Sequence, residues 1–198
     1  MSEAVLTDKE FGRFRDLMFR STGISLAAHK KPMVASRLMS RLRVHGLSSY
    51  GAYFDLAMRG AANGELQTAI DLLTTNETYF YREPKHFDFL RDRILRERQP
   101  GKTFRIWSAA SSSGEEPYTL AFVLADTLGI SAPWEVLGSD ISSRVLAAAR
   151  RGQYPMERAH NVPKAVLSRY CLKGIGPADG TFLVDAPLRQ HVRFETVN

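Results

Sequence analysis

The stretch Ser111-Ser-Ser-Gly-Glu-Glu-Pro117 sets one glycine and two adjacent carboxylates where an apolar run, residues 104–110, gives way to a helical pattern. The carboxyl end of a strand, opening into a helix, is where open α/β sheets bind their ligands. The stretch lacks the Gly-Lys-Ser/Thr ending of a phosphate loop, and Gly114 alone cannot form a dinucleotide fingerprint. Glu115 and Glu116 would also repel a pyrophosphate that needs the N–H groups of the helix start. They suit a ligand with a cationic end, and S-adenosylmethionine carries a sulfonium and an ammonium but no phosphate. The same two acids would also serve simply to complement the helix dipole.

Asp140 ends the next apolar run, roughly 25–30 residues beyond the glycine, where an acid can accept both hydroxyls of a ribose. It would equally cap the helix that follows. Together the two sites favour an adenosine ligand. A third stretch, Asn76-Glu-Thr-Tyr-Phe-Tyr-Arg-Glu-Pro84, crowds aromatics, an amide and an arginine into a connection. Arg82 is able to bind a carboxylate in bidentate fashion, whether the cofactor's or the substrate's. The alternative is an aromatic latch with Arg82 in a surface ion pair.

A fourth stretch is basic. Between Lys30 and Arg43 lie Lys30, Lys31, Arg37, Arg41 and Arg43, with no acid among them. Arg37 and Arg41 share one helical face beside an apolar stripe of Val34, Leu38 and Leu42, a pattern fit for docking on an acidic helix or for a solvated face. His29, His45, His86, His160 and His191 show no metal spacing, so no metal site is expected. Cys171, the only cysteine, excludes an internal disulfide and reads as a small buried apolar residue.

The elements that must hold these residues follow from periodicity. Over residues 1–75 the pattern is helical. Thr7 and Glu10 form a capping box, Phe11, Phe14, Leu17 and Met18 recur at helical spacing, and Gly23 stops the helix. Further helices are expected from Pro32 to His45, from Ser48–Ser49 through Met58, and from Gly64 to Leu73. Residues 76–98 read as a linker and connecting helix with Phe87, Leu90, Ile94 and Leu95 on its apolar side. Strand, helix, strand and helix then succeed one another through residues 104–150, the mark of a parallel sheet covered by helices. Gly174-Ile-Gly-Pro-Ala-Asp-Gly180 is turn chemistry between two strand-like runs, read as a small antiparallel insertion at about 163–192 within a domain of 99–198. Residues 192–197 resume the strand pattern. Three parallel strands are few for this class, so the domain is expected to be truncated at its C-terminus.

The 198 residues carry a net charge of +6, which favours an acidic partner. The first residues lack the basic start and apolar core of a signal peptide, and no apolar run reaches the roughly 20 residues of a membrane span. A cytoplasmic protein without membrane insertion is expected.

Three motifs, Thr74-Thr-Asn-Glu-Thr-Tyr-Phe-Tyr-Arg-Glu83, Trp107-Ser-Ala-Ala-Ser-Ser-Ser-Gly-Glu-Glu-Pro-Tyr118 and Gly138-Ser-Asp-Ile-Ser142, closely resemble the chemotaxis receptor methyltransferases, the CheR family. The resemblance runs from about Thr7 to Asn198. It implies an α/β chain with an N-terminal all-helical domain, followed by a Rossmann-like S-adenosylmethionine-dependent methyltransferase domain. It also implies methylation of receptor glutamates to methyl esters, leaving S-adenosylhomocysteine. By position, Asn76, Thr78 and Arg82 would line the cofactor pocket, with Arg82 near the transferred methyl and assigned the catalytic role. Glu116 would belong to the cofactor loop, Asp140 would hold the ribose, and Asn198 would lie beside the adenine. Arg37, Arg41 and Arg43 would contact an acidic helical region of a methyl-accepting receptor, with the protein acting as a monomer and not on nucleic acid. A methyltransferase for RNA or a small molecule, or a non-catalytic receptor adaptor with a vestigial pocket, are the competing readings.

Overall fold

The computed structural model describes residues 4–59, 64–99 and 101–197, and its contacts divide the chain into two units that meet at Thr75 and Asn76. The first is all-helical: α1 (Asp8–Thr22), α2 (Lys31–Val44), α3 (Tyr50–Arg59) and α4 (Glu65–Leu73), with a 3-10 turn at Ala28–Lys30. The capping box forms, with Thr7 Oγ1 accepting from the Glu10 amide at 3.2 Å and Glu10 Oε2 accepting from the Thr7 amide at 2.9 Å. Gly23 ends α1 with φ of 71°, a left-handed turn open to glycine at little cost. Phe11, Phe14, Leu17 and Met18 of α1 are buried, as are Val34, Leu38 and Leu42 of α2. Tyr50, Tyr53 and Ala57 of α3 and Ala69, Ile70 and Leu73 of α4 are buried as well.

The second unit holds two sheets. In the larger, β1 (Phe104–Ala109), β2 (Trp134–Asp140) and β6 (Val192–Thr196) are parallel in the order β1-β2-β6, with Ser108 opposite Gly138 and Gly138 opposite Phe194. Helices α6 (Glu115–Leu128) and α7 (Ser143–Arg151) follow the first two strands, and both pack on the sheet. Gly138 allows the strands' side chains to mesh there: a Cβ would lie 2.7 Å from the Phe194 ring.

The smaller sheet is antiparallel, ordered β3-β5-β4 from β3 (Gln153–Pro155), β4 (Cys171–Lys173) and β5 (Thr181–Val184). The insertion thus begins at Gln153, ten residues before the sequence-based boundary of 163. A three-residue strand has too few positions to show alternation, and Pro155 is tolerated because β3 is an edge. Short helices α8 (Lys164–Tyr170) and α9 (Ala186–Arg189) flank this sheet.

Residues 76–98 pack as part of the second unit. Phe80 is fully buried against Phe122, Tyr154 and Phe182, with ring centroids 6.2, 5.0 and 5.6 Å away. Burial of one such ring contributes about 1.5–3 kcal/mol, enough to fix the segment that carries it. Helix α5 (Pro84–Glu97) lies along α6, burying Phe87 and Ile94. Leu95, expected on that apolar side, is 69% exposed because it falls one position round the helix from Ile94.

Candidate functional site

The loop from β1 to α6 is built on unusual backbone. Ala110 and Ser112 both have positive φ, 56° and 49°, and Gly114 follows at 95°. Left-handed backbone at non-glycine residues costs energy and persists where the surroundings enforce it. Here Ser111 donates its amide to Ser139 O at 2.7 Å, and Ser112 donates its amide to Asp140 Oδ2 at 2.9 Å. Gly114 presses on α7 and Tyr154, where a Cβ would come within 2.9 Å of both Ala149 and the Tyr154 hydroxyl. That hydroxyl donates to Ser113 O at 2.7 Å.

Asp140 thus closes β2 and holds the loop at once. Its Oδ1 accepts the Ser142 amide at 2.9 Å, so each carboxylate oxygen receives one backbone donor and keeps acceptor capacity. Ser142 itself is the N-cap of α7, so Asp140 does not cap that helix. Glu116 is exposed at the first turn of α6 and accepts from Ser108 Oγ of β1 at 2.7 Å. Its neighbour Glu115 is fully buried, and burial pushes its carboxyl above the ordinary range. The pair therefore divides: Glu116 faces outward at the strand's end and Glu115 faces the interior.

The hydroxyl oxygens of Ser111 and Ser112 are buried without a hydrogen-bond partner among the described residues. Buried polar atoms are nearly always satisfied, so these two hydroxyls on one strained loop have hydrogen-bonding capacity open to a ligand or to water. With an outward carboxylate and an aspartate at the strand end, the loop fits an adenosine ligand with a cationic tail.

Arg82 is exposed and lies between Tyr81 and Glu83, whose φ angles are 57° and 58°. Its Nη1 donates to Glu77 O at 3.0 Å, and its guanidinium stands 6.0 Å from the Tyr79 ring. Asn76 and Thr78 are half-buried on the same segment. The segment is held to α6 by the Tyr81 amide, which donates to Thr119 Oγ1 at 3.2 Å. Among the clefts of this unit, those of about 530 and 510 Å3 are not lined by Arg82, Glu116 or Asp140. Asn198 lies outside the described residues. No group of three or more His, Cys, Asp or Glu able to hold a metal occurs among the described residues.

The basic helix α2 is less uniform than its sequence implies. Arg41 makes a bidentate pair with Glu65, Nε to Oε1 at 2.8 Å and Nη2 to Oε2 at 2.7 Å. Arg37 donates to the carbonyls of Leu72 and Thr74 at 3.1 and 2.8 Å, closing the end of α4. Both therefore hold the helical unit together, and Arg43 is the exposed arginine of the three. Lys31 and Arg43 line a cleft of about 720 Å3 with Met39, Val5 and Leu6.

Comparison with known proteins identifies the family. The family described as "CheR methyltransferase, SAM binding domain" matches residues 76–198, and "CheR methyltransferase, all-alpha domain" matches residues 9–74. The chain is 44% identical over 195 residues to the chemotaxis protein methyltransferase of Escherichia coli, covering 98% of this chain and 67% of that protein. It is 43% identical to chemotaxis protein methyltransferase 2 of Pseudomonas aeruginosa, covering 97% of this chain and 68% of that one. The Borreliella burgdorferi chemotaxis protein methyltransferase is 36% identical, over 98% of this chain and 70% of its own. The chain spans about two thirds of the length of these relatives. Two family matches, in the order and at the boundary the fold displays, leave one assignment: the chain belongs to the CheR methyltransferase family.

Proposed function

We propose that this chain carries the cofactor-binding part of a protein-glutamate O-methyltransferase that esterifies glutamate side chains on methyl-accepting chemotaxis receptors. The observation that supports it most is the β1–α6 loop, which carries the exposed Glu116, two unpartnered serine hydroxyls and an amide held by Asp140, without a phosphate-binding lysine. S-adenosylmethionine, when bound there, supplies a methyl group activated by its sulfonium and leaves as S-adenosylhomocysteine. Asp140 has lone pairs left for ribose hydroxyls, and Glu116 offers a negative charge to the cationic tail. Asn76 and Thr78 line the opposite wall in this reading, with Asn198 at the adenine.

A glutamate substrate has an ordinary pKa of about 4.3 and is already an anionic nucleophile at neutral pH. The protein's contribution is therefore alignment and the exclusion of water. Arg82, steered by the Glu77 carbonyl and the Tyr79 ring, orients a carboxylate and moves no proton. The receptor's acidic helical region docks on α2 through Arg43 and the cleft beside it, consistent with the net charge of +6. The protein acts as a cytoplasmic monomer, and no helix among the described residues is long and apolar enough to cross a membrane.

Calorimetric titration with S-adenosylhomocysteine, followed by transfer of labelled methyl groups to receptor-containing membranes, tests this. Saturable binding and base-labile label on the receptor are expected. Absence of binding would instead favour a receptor adaptor, and label confined to RNA or small molecules would overturn the substrate class.

A further inference from the structure

The insertion reaches the loop through Tyr154, whose hydroxyl donates to Ser113 O, and through Arg158, which also touches the 76–82 segment. Arg158 sits in a 3-10 turn, Met156–Ala159, between β3 and α8. Its Nη1 lies 2.5 Å from Oε1 of Glu115, a carboxylate with no exposed surface. The other Glu115 oxygen accepts from Ser113 Oγ at 2.7 Å. The same Arg158 nitrogen donates to Thr78 O at 3.2 Å. One guanidinium thus touches the cofactor loop's helix start and the segment that carries Asn76, Thr78 and Arg82.

A second tie runs in parallel. Thr119 Oγ1 donates to the Glu115 main-chain carbonyl at 2.7 Å and accepts the Tyr81 amide. These two ties of the 76–82 segment therefore end on Glu115, one on its side chain and one on its backbone. Between them Phe80 is sunk in the core, and directly after them comes Arg82. A buried carboxylate without its cation is strongly disfavoured, so the Arg158 tie is the stiff one.

We propose that Arg158 is a positioning residue for methyl transfer, clamping the Arg82 segment to the cofactor loop through Glu115 and the Thr78 carbonyl. This rests on the methyltransferase reading above, because the clamp matters only if loop and segment hold one ligand between them. Arg158 acts through Thr78 and Arg82 and touches no reacting atom itself. It also gives the β insertion a direct part in shaping the cofactor site.

The test measures S-adenosylhomocysteine affinity and backbone amide exchange at residues 77–82 in the wild type, Arg158→Lys, Arg158→Met and the double variant Arg158→Met/Glu115→Gln. Arg158→Met is expected to weaken binding about tenfold, the loss of one charge-assisted contact. Exchange at 77–82 should quicken while β1 and β2 stay protected. Arg158→Lys should recover most of both, since an ammonium still satisfies Glu115. The double variant removes the stranded carboxylate, so it folds even if Arg158→Met does not, and it should still bind weakly and exchange fast. Wild-type affinity and exchange in the double variant would overturn the clamp, assigning any loss in Arg158→Met to an unpaired buried charge. A wild type that fails to bind S-adenosylhomocysteine would sink the methyltransferase reading instead, while the exchange data would still decide whether Arg158 holds the segment.

Discussion

Asp140 joins an observed duty to a proposed one. It anchors the loop by accepting amides from Ser112 and Ser142, and in the proposed complex it also accepts ribose hydroxyls. Asp140→Asn keeps one acceptor oxygen and the side chain's shape but loses the charge. Hydrogen bonds to a charged group are worth about 1.5–3 kcal/mol, so S-adenosylhomocysteine affinity should fall roughly 10- to 100-fold. Unchanged affinity in calorimetry would remove the ribose role. Arg82→Lys separates a different pair of effects. Lysine keeps the charge but not the fork, so cofactor affinity should hold within about threefold while turnover on receptor falls at least tenfold. An Arg82→Lys enzyme at full turnover would leave no orienting role for the guanidinium. At this scale the sequence was informative about position on an element. The places of Asp140 at a strand end and Glu116 in a helix's first turn were legible because both are local features. The Arg158–Glu115 contact was not, because its partners lie 43 residues apart and only the packing of the insertion brings them together. The burial of Glu115 beside an exposed Glu116 was equally hidden, since two adjacent acids look alike until one face of the helix is covered.

Among the elements, α4 depends on a buried carboxylate. Glu65 accepts from Arg41 through both oxygens and from the Tyr53 hydroxyl at 2.8 Å, with His45 Nε2 at 3.2 Å. The Arg41 hydrogen bonds hold its pKa down, to about 2. A carboxyl whose folded pKa is depressed adds stability that is fully present above the unfolded pKa and is lost as pH falls through the folded one. The helical unit should therefore lose stability between about pH 5 and about pH 2. Glu65→Gln should be less stable than wild type at neutral pH, by about 2 kcal/mol for a lost charge-assisted network. The gap between the two should close through the acid window. Unfolding midpoints that stay parallel down to the lowest pH would show that Glu65 is not the group responsible. The helices of this unit were legible to within about two residues, because capping boxes, glycine stops and apolar stripes are local. The network was not: helical spacing places Arg37 and Arg41 on one face without saying whether water or α4 covers it. The short strand β3 escaped for the opposite reason, having too few residues to carry a period.

For the whole molecule, the structure ties part of the charge of α2 to folding, and the proposed recognition role of the rest is testable on receptors. Arg37 and Arg41 are tied to α4, whereas Arg43 is exposed beside a cleft that also takes Lys31. If the acidic helix of a receptor docks there, Arg43→Glu should lower receptor methylation severalfold through KM, and the loss should shrink as salt screens the contact. The folded state should be untouched, because an exposed arginine on a helix surface contributes little to stability. Arg37→Glu should behave differently. Its carboxylate would face the Leu72 and Thr74 carbonyls in place of a donor, so unfolding at lower temperature is expected, with loss of methylation that salt does not relieve. Cofactor affinity should survive Arg43→Glu, since the matching cofactor-binding domain begins at Asn76. Methylation kinetics and thermal unfolding measured on both variants, at low and high salt, distinguish a docking cation from a structural one. Equal KM for Arg43→Glu and wild type at low salt would move receptor recognition off α2, leaving the insertion's surface as the place to look next.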